Sequence, residues 1–248
     1  MKNNIIKLIL AVLVFLVALV GISTMLDDKK KNEDDNELKV TEDSKKFKDE
    51  YEGYNGKQNS SGTNTFLSIS IAENNPMKYS NPEEIIKLLD GDTGVIYFGF
   101  PTCPWCRNAV PVLLEVAKEK KLKTIYYYDL SDIKNTWSMV DGKATKTKEE
   151  GEGYYDLLEA FDSIIDEYVL TDENGIEHGT GEDRIYNPLV IFVKDGKIIG
   201  HHSGTMPFNE GQTAYDQLTD TQKTALKNIY SEYMDEVLAA DVCDESCE

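Results

Sequence analysis

The chain has 248 residues, with 26 Lys and Arg against 45 Asp and Glu, a formal net charge of −19. So acidic a chain argues against nucleic acid as a partner and for weak attraction to anionic lipid. The length admits one domain of ordinary size with appendages, and the four cysteines, in two close pairs, suit redox chemistry better than a disulfide scaffold.

Lys2 and Lys7 precede an uncharged run, mostly Leu, Val, Ile and Ala, over residues 8–22. Extended through Ile5, Ile6 and residues 23–26, it approaches the roughly 20 residues of a membrane span. With no small-x-small cleavage site and no following cysteine to take a lipid, residues 1–26 read as an uncleaved anchor; the alternative is a cleaved signal peptide and secretion. Lys29 to Lys31 offset Lys2 and Lys7, so loop charge gives no clear orientation. Residues 27–63 mix charge with Asn, Gly and Ser, and read as a flexible polar linker.

Residues 64–240 read as the globular domain. Phe66, Ile69 and Ile71 form a strand-like run that ends at Asn74-Asn75-Pro76. Asn81-Pro82-Glu83-Glu84 is a helix start, with Ile85, Ile86, Leu88 and Leu89 as its apolar face and Gly91 as its stop. Val95 to Phe100 is a buried strand, and Cys103-Pro104-Trp105-Cys106 follows its end. Val110, Leu113, Leu114 and Ala117 then recur at helical spacing, so Cys103 falls at a helix N-terminus. Unpaired N–H groups and the positive end of the dipole favour an anion there, and the thiolate is the nucleophile. Cys103 is therefore expected to be exposed and acidic and to attack. Cys106, one turn on and shielded by Pro104 and Trp105, can close a small disulfide ring and is expected to resolve the intermediate.

Leu122 to Leu130 is a second strong strand, giving the order β-α-β-α-β and a partly parallel sheet. A long insert, about residues 131–184, comes next. Trp137 to Gly153 reads as an exposed polar loop, and Tyr154, Leu157, Leu158, Phe161, Ile164, Ile165 and Tyr168 as one amphipathic helix. Asn174-Gly175 is a hairpin turn, and Asp195-Gly196 turns the apolar run Leu189 to Val193 back into Lys197 to His202. His201 and His202 point to opposite faces of a strand and read as surface or edge residues rather than metal ligands. Thr219 and Gln222 form a capping box for a last helix with Leu226, Ile229, Tyr233 and Val237 on one face. In the acidic tail, residues 241–248, the charges around Cys243 and Cys247 oppose thiolate formation, and a plain local disulfide is the favoured reading.

The segment FPTCPWCR, Phe100 to Arg107, between its strand and its helix resembles the active-site segment of the thioredoxin superfamily. Pro111, five residues after Cys106, falls where thioredoxins carry a helix-kinking proline. Two departures bear on redox potential. Tyr97 stands six residues before Cys103, where thioredoxins usually place a buried acid, and Pro104-Trp105 is closer to the Pro-Tyr of glutaredoxins than to Gly-Pro. The run NPLVIFV resembles the element in which a cis-proline opens the strand facing the CxxC. That resemblance implies that Pro188 is cis, that Asn187 lies in the substrate groove, and that Gly204 lines the same groove.

Within the superfamily the chain looks most like the membrane-anchored bacteriocin transport accessory proteins of Gram-positive bacteria. The resemblance implies an α/β thioredoxin fold, a mixed central sheet flanked by helices, with the insert before the cis-proline strand. It further implies thiol–disulfide exchange on disulfide- or thiol-containing protein substrates outside the cytoplasm, with no cofactor or metal beyond Cys103 and Cys106. An outside redox partner must reset the pair. A non-catalytic peptide-binding accessory with a structural disulfide is the alternative, and a zinc module is a further one.

Overall fold

The two most apolar stretches of the domain become adjacent strands at the middle of one sheet. The computed structural model describes residues 38–240; the chain divides after Lys39, and every described helix and strand belongs to the unit that begins at Val40. The main sheet has five strands: β1 (Met77–Tyr79), β2 (Gly94–Phe98), β3 (Ile125–Tyr128), β8 (Leu189–Lys194) and β9 (Lys197–Ser203). Their spatial order is β1-β3-β2-β8-β9. β3 runs parallel to β1 and β2, whereas β8 is antiparallel to β2 and to β9, so the sheet is mixed.

β2 is buried along its whole length because helices cover both faces. The side chains alternate accordingly. Val95 and Tyr97 point into a core shared with α1 (Glu42–Glu52), α3 (Pro104–Glu119) and α5 (Asp220–Leu238). Ile96 and Phe98 point the other way, into a core with α2 (Pro82–Ile86) and α4 (Tyr154–Ala160). The fold is thus mixed α/β, a mixed central sheet flanked by helices. Asn81 caps α2 and Thr219 caps α5, each in a reciprocal capping box.

Several local expectations are corrected. Part of the expected linker is core: α1 is capped by Thr41, and Phe47 and Tyr51 are fully buried. One (i, i+4) aromatic pair anchors an otherwise charged helix. Residues 66–71 form no strand, because side chains of α1 and its exit satisfy their backbone. Asn55 Oδ1 accepts from the N–H of Ile69 at 3.0 Å, and Glu52 Oε1 from that of Ile71 at 2.7 Å. The first strand comes later, at Met77.

The expected loop from Trp137 is a hairpin of β4 (Thr136–Val140) and β5 (Lys143–Lys148), turned by Asp141 and Gly142 at φ 49° and 74°. The helix from Tyr154 stops at Ala160. After a 3₁₀ turn, Tyr168 lies in β6 (Asp166–Thr171), which pairs with β7 (Glu177–Arg184) across the Asn174-Gly175 turn. On α5, Tyr230 and Met234 are buried, and Ile229 and Tyr233 pack partly buried beside them, so the apolar stripe is wider than expected.

Candidate active site

β2 ends at Phe98, and the chain turns once before α3 begins. The Cys103 N–H donates to Phe100 O at 3.1 Å, which closes that turn. Cys103 is the N-cap of α3, and its Sγ accepts the Cys106 N–H at 3.2 Å. A thiol here occupies the place of the usual capping oxygen. Pro104 follows at the first helical position, where no donor is missed. The turn is fixed from behind by Arg107, fully buried, whose Nη1 donates to Pro101 O (3.1 Å) and Tyr51 O (2.7 Å). Its Nε donates to Leu67 O at 2.8 Å, and Nη2 donates to Asn55 Oδ1.

Cys103 and Cys106 are free thiols, and both are buried. Cys103 is only 4% exposed, which corrects the expectation of an open nucleophile. Its cover comes from far along the chain: Cys103 Sγ donates to Asn187 O at 3.6 Å. Trp105, between the cysteines, is 43% exposed and meets solvent instead.

The two thiols are electrostatically unlike. Burial works against ionisation of Cys103. The Cys106 thiol and N–H, the Lys134 ammonium and the Trp105 N–H outweigh it and hold the pKa below the ordinary thiol value. Burial pushes the Cys106 thiol well up, and its hydrogen bond to Cys103 and the charge there add to the rise. Tyr97, at the place where an acid would be expected, is fully buried beneath Cys106, and its hydroxyl shares a 2.8 Å hydrogen bond with Tyr51. Burial raises its pKa well above the phenol value, so it stays neutral and accepts no proton from a thiol near neutral pH.

The Asn187–Pro188 peptide bond is cis. Gly204, just past β9 at φ 75°, donates its N–H to Pro188 O at 2.7 Å. The structure therefore brings together Cys103, Asn187 and Pro188, with Gly204 tied to Pro188 from β9. In the amide orientation its neighbours dictate, Asn187 Nδ2 donates to Phe98 O (3.3 Å) and Oδ1 accepts from Lys134 Nζ (3.0 Å).

Lys134, Tyr51 and Arg107 are the site residues that sequence reasoning missed. Arg107 abuts the second cysteine in FPTCPWCR, and Tyr51 shares a helical face with Phe47; either signal was available. Nothing local marks Lys134.

His201 is exposed and His202 partly buried, its ring edge-on to Tyr230 at 6.0 Å. Among the described residues no group of His, Cys, Asp and Glu is placed to hold a metal ion, and no helix is long and apolar enough to cross a membrane. The expected anchor at residues 1–26 and the pair Cys243 and Cys247 lie outside the described residues. No family model matches the chain, and no curated protein matches it.

Proposed function

We propose that this chain is a thioredoxin-like thiol–disulfide oxidoreductase that works on protein substrates through Cys103 and Cys106. The observation that carries the reading is the asymmetry of the pair. One thiol caps a helix with a depressed pKa and touches the segment before Pro188, while the other is fully buried one turn on with a raised pKa. The sheet supports it too, since β2 delivers Cys103 and its antiparallel neighbour β8 follows Pro188. The extracytoplasmic setting rests on residues 1–26 of the sequence alone.

The Cys103 thiolate attacks a substrate disulfide, forming a Cys103–substrate bond and releasing the other substrate sulfur as a thiolate that takes up a proton. Cys106 then loses its proton and attacks the Cys103 sulfur. The second substrate thiolate leaves, and a Cys103–Cys106 disulfide remains. The substrate gains the two electrons that the cysteines lose. Run in reverse, the same steps oxidise a substrate dithiol. An external thiol or disulfide partner restores the starting state in either direction.

The burial of Cys103 favours a second reading, a peptide-holding accessory in which the pair is structural. Equilibration with glutathione separates the two. The redox reading expects a Cys103–Cys106 disulfide that forms and breaks reversibly in the glutathione range. A potential below about −300 mV, with Cys103 inert to alkylation, supports the accessory instead.

A further inference from the structure

Lys134 lies in the turn after β3, its N–H bonded to Leu130 O at 2.9 Å, at the start of the insert. Its Nζ donates to Ile185 O (3.3 Å) and to Asn187 Oδ1 (3.0 Å), both in the segment that leads into Pro188. Cys103 Sγ contacts the same Asn187 through its backbone oxygen. The ammonium and the thiol therefore share one neighbour, fixed between β2 and β8 by its bond to Phe98 O.

Both acceptors of Lys134 are neutral, and among the described residues no carboxylate forms an ion pair with it. The charged and titratable groups that face it are Arg184 from β7 and the two thiols of α3. Arg184 is held by Asn135, through Oδ1 at 3.0 Å and O at 3.4 Å, and lies 3.9 Å from the centre of the Tyr168 ring. A partly buried ammonium beside a second cation is poorly solvated and lacks a counter-anion. The anion this site can generate is a thiolate.

We propose that Lys134 is the counterion of the Cys103 thiolate, a positioning residue supplied by the insert and held in register through Asn187. The proposal rests on the redox reading of Cys103 and Cys106. The ammonium stabilises the thiolate before attack. Once the mixed disulfide forms, Cys103 carries no charge, and the same ammonium favours ionisation of Cys106, the other thiol within its electrostatic reach. A cation thereby eases the second deprotonation at a site where Tyr97 replaces an acid. The electrostatics agree in sign. Burial and Arg184 lower the Lys134 pKa and both thiols raise it, which leaves it at about 8.

The test is a titration of Cys103 in the reduced full-length protein, by thiolate absorbance and by the rate of iodoacetamide alkylation. In Lys134→Met the half-ionisation pH of Cys103 should rise by about one pH unit, and alkylation below it should slow about tenfold. Lys134→Arg keeps the cation and should stay near wild type. Because the methionine variant can misfold, the wild-type protein supplies a second readout. With isotope-labelled lysine, Lys134 should titrate at a lower pH in the disulfide form, which has no thiolate, than in the reduced form. An unmoved Cys103 midpoint in a folded Lys134→Met, or equal Lys134 midpoints in the two forms, overturns the proposal while leaving the redox reading intact. Failure of the wild-type pair to exchange with glutathione removes that reading, and this one with it.

Discussion

Replacing Arg107 with methionine should both destabilise the domain and loosen the presentation of Cys103. The side chain is fully buried and serves four acceptors: Leu67 O, Tyr51 O, Pro101 O and Asn55 Oδ1. Methionine fills similar space but donates nothing, so all four oxygens lose a donor. Tyr51 O keeps the Tyr54 N–H and Asn55 Oδ1 keeps the Ile69 N–H, so Leu67 O and Pro101 O are the two left orphaned. Each orphan costs about 1–3 kcal/mol, partly offset by no longer desolvating a guanidinium, and a net loss of about 2–4 kcal/mol follows. In a domain of this size that lowers the melting temperature by roughly 10 °C. Lysine keeps the charge but serves all acceptors from one nitrogen, so Arg107→Lys should fall between. Denaturant unfolding of the reduced proteins measures the loss, and Cys103 alkylation reports the turn held by Pro101 O. A methionine variant within about 1 kcal/mol of wild type refutes the reasoning.

Phe47→Ala tests the first helix: a fully buried ring 4.9 Å edge-on from Tyr127 should cost about 3–5 kcal/mol in denaturant unfolding, whereas a tether would cost nothing. The pH dependence of stability in the oxidised protein should carry the mark of Lys134. Burial and Arg184 depress its pKa, to about 8 with the thiols free and lower once they are oxidised, so the folded state binds fewer protons than the unfolded state, whose lysine titrates at ~10.4. Its contribution is therefore present above the unfolded value and lost as pH falls to about 8 and below. The stability difference, wild type minus Lys134→Met, should grow as pH rises across that window, and a flat difference contradicts it.

What was legible in the sequence was what local pattern encodes. β2 and β8 are covered on both faces, so they appear as unbroken apolar runs, and the CPWC turn lies between a strand and a helix that each announce themselves. The first helix was hidden because its anchor is two aromatics among nine other residues, most of them charged. The β4–β5 hairpin was hidden by its polarity, although Asp141-Gly142 was a readable turn. The burial of Cys103 and the reach of Lys134 depend on residues near 187, brought there only by the folded sheet and insert. No local period carries that information.

The most direct test of the redox account is trapping. In Cys106→Ala the attacking thiol is intact but its escape is gone, so Cys103 should accumulate covalent adducts with substrate proteins, seen as high-mass bands that collapse under reductant. Cys103→Ala should give neither adducts nor activity. Adducts that appear only when Cys103 is the residue removed, or none from either variant while both keep full activity, would contradict it.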